Sequence, residues 1–130
     1  MGEFDLIARY FQRPARRATL GMGDDCALLR VPSDMELAVS TDMLVEGRHF
    51  FADVAPRALG HKALAVNLSD LAACGASPLA FTLALALPAA DETWLTAFSR
   101  GLFALADAHG CHLIGGDTTR YKYVPAECRN

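Results

Sequence analysis

The run Leu79 to Leu87 has no face made for water. Bulky Leu79, Phe81, Leu83, Leu85 and Leu87 alternate with Ala80, Thr82, Ala84 and Ala86, the period-two pattern of a β-strand. A half-exposed strand would set strongly polar residues on one of those faces, so here both need cover. The bulky face suits packing on helices, and the small face suits close approach of another sheet, which a second subunit can supply. Helical patterns bracket the strand. Pro56 near the start and Gly75 at the end mark one helix, following the preference for proline inside the first turn and glycine past the last. Asp91 to His109 forms the other, with Trp94, Leu95, Phe98, Leu102, Leu105 and Ala106 on one side and Gly110 to stop it.

The remaining elements follow from the same rules. Glu3 to Gln12 has Phe4, Ile7, Ala8 and Phe11 at helical spacing. Pro14 and the arginines after it open a loop that ends in Gly21-Met22-Gly23-Asp24-Asp25. Cys26 to Val31 and Glu36 to Thr41 read as two short strands, and Pro32-Ser33-Asp34 between them predicts a hairpin. Asp42 to Val54 is a loop containing Gly47. Cys111 to Ile114 is a short last strand, with Gly115-Gly116-Asp117 predicting a sharp turn at its end. The order helix, two strands, helix, strand, helix, strand implies an α/β sandwich, a mixed sheet of about four strands with helices on one face.

Composition sets outer bounds on function. A chain of 130 residues that is 52% hydrophobic and 21% charged is long enough for one real core. Net charge is −3, and the nearest approach to a basic patch is Arg13, Arg16 and Arg17 in one short loop. That is too little for a nucleic-acid footprint. The start of the chain lacks a continuous apolar core and Leu79 to Ala90 is too short to cross a bilayer, so neither export nor a membrane span is expected. Cys26, Cys74, Cys111 and Cys128 show no C-x-x-C pairing and read as reduced, mostly buried thiols of a cytoplasmic protein. His109 and His112, flanking Cys111, lack a second ligand pair at zinc spacing. Without a G-x-x-x-x-G-K-[ST] loop, a Walker-type nucleotide site is excluded.

The acidic residues carry the chemistry. Asp24/Asp25, Asp42 and Asp117 are each expected where a strand begins or ends beside small residues, and Asp70 interrupts the nearly all-apolar stretch Ala63 to Cys74. Strand ends on one edge of a sheet converge, so these carboxylates can share a cleft. At about 5 Å and an effective dielectric near 20, each pair would repel by on the order of 3 kcal/mol. Cations or protons must neutralise them, and magnesium, which takes hard oxygen ligands and bridges carboxylates to phosphates, suits the task. Taken singly, each aspartate after glycine also fits a turn or helix cap, and Asp70 with Asn67 and Ser69 fits a solvated stripe. His49 and Lys62 fit an exposed histidine and a surface lysine as well as contacts to a substrate or phosphate.

Four stretches together carry a resemblance. They are Gly-Met-Gly-Asp-Asp-Cys-Ala (21–27), Ser-Thr-Asp-Met-Leu-Val-Glu-Gly-Arg-His-Phe (40–50), Lys-Ala-Leu-Ala-Val-Asn-Leu-Ser-Asp-Leu-Ala-Ala (62–73) and Leu-Ile-Gly-Gly-Asp-Thr-Thr-Arg (113–120). In this order and spacing the chain resembles the thiamine-monophosphate kinase family, of the aminoimidazole-ribonucleotide-synthetase-like (PurM-like) superfamily, from about Gly2 to Arg120. The resemblance implies magnesium ligands at Asp25, Asp42, Asp70 and Asp117, with Ser40 and Thr41 adding oxygen contacts. It also implies ATP contacts at Asp25, Gly116 and Asp117, a thiamine-phosphate contact at His49, and a homodimer across the first-domain sheets. The implied reaction transfers the γ-phosphoryl of ATP onto thiamine monophosphate, giving thiamine diphosphate and ADP. A relative in the superfamily with another substrate, or a non-catalytic magnesium-nucleotide or dimerisation module, are the alternatives. Residues 1–120 read as the N-terminal ATP- and magnesium-binding domain, incomplete at its C-terminal end. The stretch 121–130 departs from the family pattern, which continues into a second domain, so the chain alone is expected to have little or no kinase activity.

Overall fold

The computed structural model describes residues 2–13, 18–20 and 26–121. Its elements run α1 (Glu3–Tyr10), β1 (Ala18–Leu20), β2 (Leu28–Leu29), α2 (Pro56–Ala73), β3 (Ala80–Leu87), α3 (Glu92–Ala108) and β4 (His112–Arg120). This is the expected order, and the mixed α/β class holds. The strands form two separate two-stranded sheets, an antiparallel β1–β2 pair and a parallel β3–β4 pair. Parallel neighbours need a crossover, which α3 provides.

The alternation in β3 sorts its side chains by size, and only the bulky face is covered. Phe81, Leu83, Leu85 and Leu87 pack on the core, while Thr82, Ala84 and Ala86 stay exposed. The core they join is built from Leu6 and Phe11 at α1, Leu59 and Leu64 of α2, and Leu95, Phe98, Leu102 and Ala106 of α3, with Leu113 of β4. Both helices therefore cover the bulky side of the strand pair. At α1 the most deeply buried residue is Leu6, which the expected set Phe4, Ile7, Ala8 and Phe11 leaves out.

Helix ends match their sequence signals. Asp91 caps α3, its carboxylate accepting from the backbone N–H of Trp94 at 3.2 Å. Pro56 sits in the first turn of α2, where its missing N–H costs nothing. Within α3, Trp94 stacks on Phe98 with ring centroids 4.9 Å apart. The arginine loop contributes a clamp instead of a basic patch. Arg13 donates to both carboxylate oxygens of Asp107 at 3.0 and 3.2 Å and lies 4.3 Å from the Phe103 ring centre. Arg16 and Arg17 lie outside the described residues.

One constraint was not read from the sequence. Helices α2 and α3 touch backbone to backbone at two glycines. A Cβ on Gly60 would land on the carbonyl oxygen of Phe98, and one on Gly101 on the carbonyl oxygen of Arg57. Both glycines are buried. Interaxial distance is set by what stands between two helices, and here nothing does.

Three expectations need correction. The hairpin between 26–31 and 36–41 does not form: Leu28–Leu29 pairs with Ala18–Leu20, and 36–41 is not in a strand. The turn itself is present, with Met35 N–H donating to the Pro32 carbonyl at 3.0 Å, but a turn cannot hold a hairpin without ladder bonds beyond it. Met35, Leu37 and Val39 are consequently exposed, Val39 to 78%. The last strand does not stop at Ile114 but runs on to Arg120. Of the thiols, Cys111 is buried while Cys26 and Cys74 are exposed and free, because Cys74 falls at the C-cap of α2 and not inside its packed face. Cys128 lies outside the described residues.

The glycine contacts give a test with an unusual sign. Alanine for glycine inside a helix normally stabilises by about 1 kcal/mol. Here Gly60→Ala and Gly101→Ala are each expected to destabilise by about 1–3 kcal/mol or more, because neither backbone can give way. The readout is a lower urea midpoint; an unchanged or raised midpoint would contradict the close crossing.

Candidate functional site

Segment 40–50 and helix α2 meet along a polar seam. The Ser40 hydroxyl faces two oxygens of α2, Asn67 Oδ1 at 3.3 Å and Asp70 Oδ2 at 3.4 Å. Asn67 and Asp70 are three residues apart, so they share a face of the helix. The Asn67 amide nitrogen donates to the Ala63 carbonyl at 3.1 Å, which turns its oxygen toward Ser40. Three oxygen groups from stretches 27 and 30 residues apart in sequence thus converge. Thr41 and Asp42 follow directly and are exposed.

His49 sits in a tightly bonded turn. Gly47, at φ 81°, lets the chain reverse, its N–H donating to the Phe50 carbonyl at 2.7 Å. The Val45 N–H donates to His49 Nδ1 at 2.8 Å, and the Lys62 ammonium donates to the His49 carbonyl at 2.6 Å. Lys62, which fits a surface lysine on sequence grounds, is therefore a strap from α2 to this turn.

Gly116 and Asp117 occupy different ground. They lie inside β4, opposite Leu83 and Ala84 of β3, and do not close the strand. The glycine pair signalled a turn, but the structure uses it otherwise. The register slips between Phe81 and Thr82, so that Leu113 and Gly115 take successive partners and Ile114 is the extra residue of a bulge. Gly116, at φ 138°, brings its Cα so close to the Leu83 backbone that a Cβ would overlap the Leu83 carbonyl oxygen. Beside it, a shallow recess of about 20 Å³ is lined by Ile7, Phe11, Leu83, Leu113 and the stretch 115–118. That is room for about one water and not for a nucleotide, which needs several hundred Å³.

Ser40 and Asp70 come together. Among the described residues no three of His, Cys, Asp or Glu gather into a metal-sized group, so Asp42, Asp70 and Asp117 do not form one. The reason is topological: 36–41 is not a strand and Asp117 is mid-strand, so the strand ends invoked to bring them together are not where the pattern put them. Asp24 and Asp25, with 21–23, lie outside the described residues. On sequence grounds Asn67 fits a solvated stripe with Asp70 and Ser69, and Lys62 fits a surface lysine or a phosphate contact; the bond from Asn67 to the Ala63 carbonyl and the bond from Lys62 to the His49 carbonyl come from the fold.

Known proteins resolve what this geometry belongs to. The sequence profile of the family described as AIR synthase related protein, N-terminal domain, matches residues 23–128. The chain belongs to this family. Within it, the chain is 56% identical over 138 aligned residues to the thiamine-monophosphate kinase of Salmonella typhimurium, covering 96% of this chain and 42% of the relative. It is 58% identical to the enzyme of that name from Escherichia coli, over 92% of this chain and 38% of the relative. The crystal structure of thiamine-monophosphate kinase from Stenotrophomonas maltophilia superposes with a TM-score of 0.74 at 50% identity, over 92% of this chain and 37% of that one. The chain thus spans about 40% of the length of the curated relatives it matches. This AIR synthase related domain holds its polar seam and its β4 recess on separate elements among the described residues.

The two glycine roles can be told apart from chemistry. Gly116→Ala is expected to destabilise the β3–β4 pair by several kcal/mol, on the order of 3, since it combines backbone overlap with a disfavoured φ. Asp117→Asn, at an exposed position, should shift stability by less than about 0.5 kcal/mol. Thermal unfolding of both variants checks this, and equal effects would contradict the assignment.

Proposed function

We propose that the chain is the nucleotide- and magnesium-loading part of a kinase that phosphorylates thiamine monophosphate to thiamine diphosphate with ATP. The observation that carries this reading is the 50–58% identity to thiamine-monophosphate kinases over more than nine-tenths of the chain. The junction of Ser40 with Asn67 and Asp70 supports it, because it joins the second and third of the four sequence stretches into one seam.

The donor set of that seam fits magnesium. Ser40, Asn67 and Asp70 offer oxygen only, with one carboxylate among them. Magnesium prefers hard oxygen ligands, and commonly takes one or two carboxylates together with waters and substrate phosphates. Asp70 and Ser40, with Thr41 and Asp42 beside them, would hold it; Asp25 and Asp117 join the set by resemblance of their stretches to the family, Asp117 from a separate element. When bound, magnesium would neutralise charge on the transferring phosphoryl group and bring the two phosphorylated anions together.

The residues of this chain then have modest tasks. The attacking oxygen of thiamine monophosphate is anionic at neutral pH, so no strong general base is needed. Catalysis rests on positioning. Asn67, held by the Ala63 carbonyl, and Ser40 orient the Asp70 carboxylate. His49 presents a ring N–H to the phosphate of the acceptor. Gly116 and Asp117 approach the ATP phosphates from β4.

A homodimer and a cytoplasmic location complete the proposal. The exposed small face of Thr82, Ala84 and Ala86 and the exposed Met35, Leu37 and Val39 are apolar surface that a second copy would cover. The free thiols of Cys26 and Cys74 suit a reducing compartment. No helix among the described residues is long and apolar enough to cross a membrane.

A product assay tests the reading. The complete protein, given ATP, magnesium and thiamine monophosphate, should form thiamine diphosphate and ADP in equal amounts. Asp70→Asn should raise the magnesium concentration for half-maximal turnover by about 10–100-fold with the unfolding temperature unchanged. Absence of thiamine diphosphate from the complete, folded protein would reject the substrate. An unaltered magnesium dependence would reject the role of Asp70.

A further inference from the structure

The turn that carries His49 is held by a bond that no sequence motif announces. His49 Nδ1 accepts the Val45 N–H at 2.8 Å, so that nitrogen cannot carry a proton. In the neutral ring the proton therefore sits on Nε2, and the residue is exposed, leaving a ring N–H available as a donor. Leu44 and Phe50, on either side of the turn, pack against the core. The turn's internal bonds are local, and the residues from Glu46 to His49 are all exposed. Beyond that packing, the turn is bonded to α2 through Lys62, whose ammonium donates to the His49 carbonyl at 2.6 Å. Lys62 is two residues beyond Gly60, the point where α2 is pinned against the α3 backbone. The base of the strap thus lies within one helical turn of that close contact.

We propose that Lys62 is a positioning residue, which locks the His49 turn so that Nε2–H is aimed as a donor at the phosphate of the acceptor. The proposal rests on the reading of His49 as a contact to thiamine monophosphate. Lys62 acts through the His49 main chain and not on the phosphates. A charged donor on a carbonyl is a strong bond, and losing it frees the turn to rotate the ring or switch its tautomer. The consequence falls on the acceptor and leaves ATP untouched.

Steady-state kinetics of the complete protein, with ring-nitrogen NMR of His49, tests this. Lys62→Met should raise KM for thiamine monophosphate by about tenfold, the loss of one hydrogen bond to a charged group. KM for ATP should be unchanged and kcat should stay within a factor of about two. Lys62→Arg, which keeps a charged donor of similar reach, should restore most of the acceptor KM. In the unaltered protein the His49 ring should show Nε2–H with a bare Nδ1, and in Lys62→Met a mixture of tautomers. A rise confined to the ATP KM, or no kinetic change, would overturn the proposal. So would an unaltered ring signature in Lys62→Met. Should Lys62→Met not fold, the unaltered protein and Lys62→Arg still decide, since an Nδ1–H ring or an Arg variant as poor as a lost donor would sink it. His49→Ala separates the premise: if it leaves the acceptor KM unchanged, the substrate contact fails, whatever Lys62 does to the ring.

Discussion

The contact between the α2 and α3 backbones at Gly60 and Gly101 sets the geometry on which the rest depends. With no side chain between them, the helices close on each other and squeeze Leu59, Leu64, Leu95, Phe98 and Leu102 into one core under β3. Burying each such residue contributes about 1.5–3 kcal/mol. The same contact fixes where α2 points. Its outer face then presents Lys62, Asn67 and Asp70 to the segment 40–50, so a packing decision in the core becomes a placement decision at the polar seam.

Periodicity made much of the fold legible. The two-faced alternation of 79–87 announced a strand covered by helices on its bulky side, and the helices at 56–73 and 92–108 were bounded by proline, an aspartate cap and glycine. What period and punctuation do not encode is pairing. Segment 36–41 has strand-like alternation and a turn before it, yet a strand exists only where ladder bonds form, and those went to Ala18–Leu20. Glycine was the other ambiguity. Gly115-Gly116 reads as a turn from sequence, but the same lack of a Cβ serves a bulge and a close approach between strands. Only the neighbouring backbone, here that of Leu83, tells the uses apart.

The candidate site was legible as a set of residue types more than as a place. Ser40 and Asp70, far apart in sequence, do meet, and Asn67 joins them. That meeting does not come from converging strand ends: Ser40 is on an irregular segment and Asp70 on a helix. The strap from Lys62 to His49 was not readable at all, because a lysine that bonds a main-chain carbonyl leaves no pattern in side-chain types. A hydrogen bond of that kind is a property of the fold, and the sequence carries only the two ends.

We propose that Ser40, Asp42 and Asp70 on one side and Asp117 on the other serve the same divalent ions once nucleotide is present. Anomalous diffraction from crystals of the complete protein, grown with manganese and a non-hydrolysable ATP analogue, tests this most directly. Metal peaks are expected at about 2.1 Å from the Asp70 carboxylate and from further carboxylates of the set, beside the analogue phosphates. Metal and analogue bound elsewhere, with Asp70 still facing only Ser40, would contradict it.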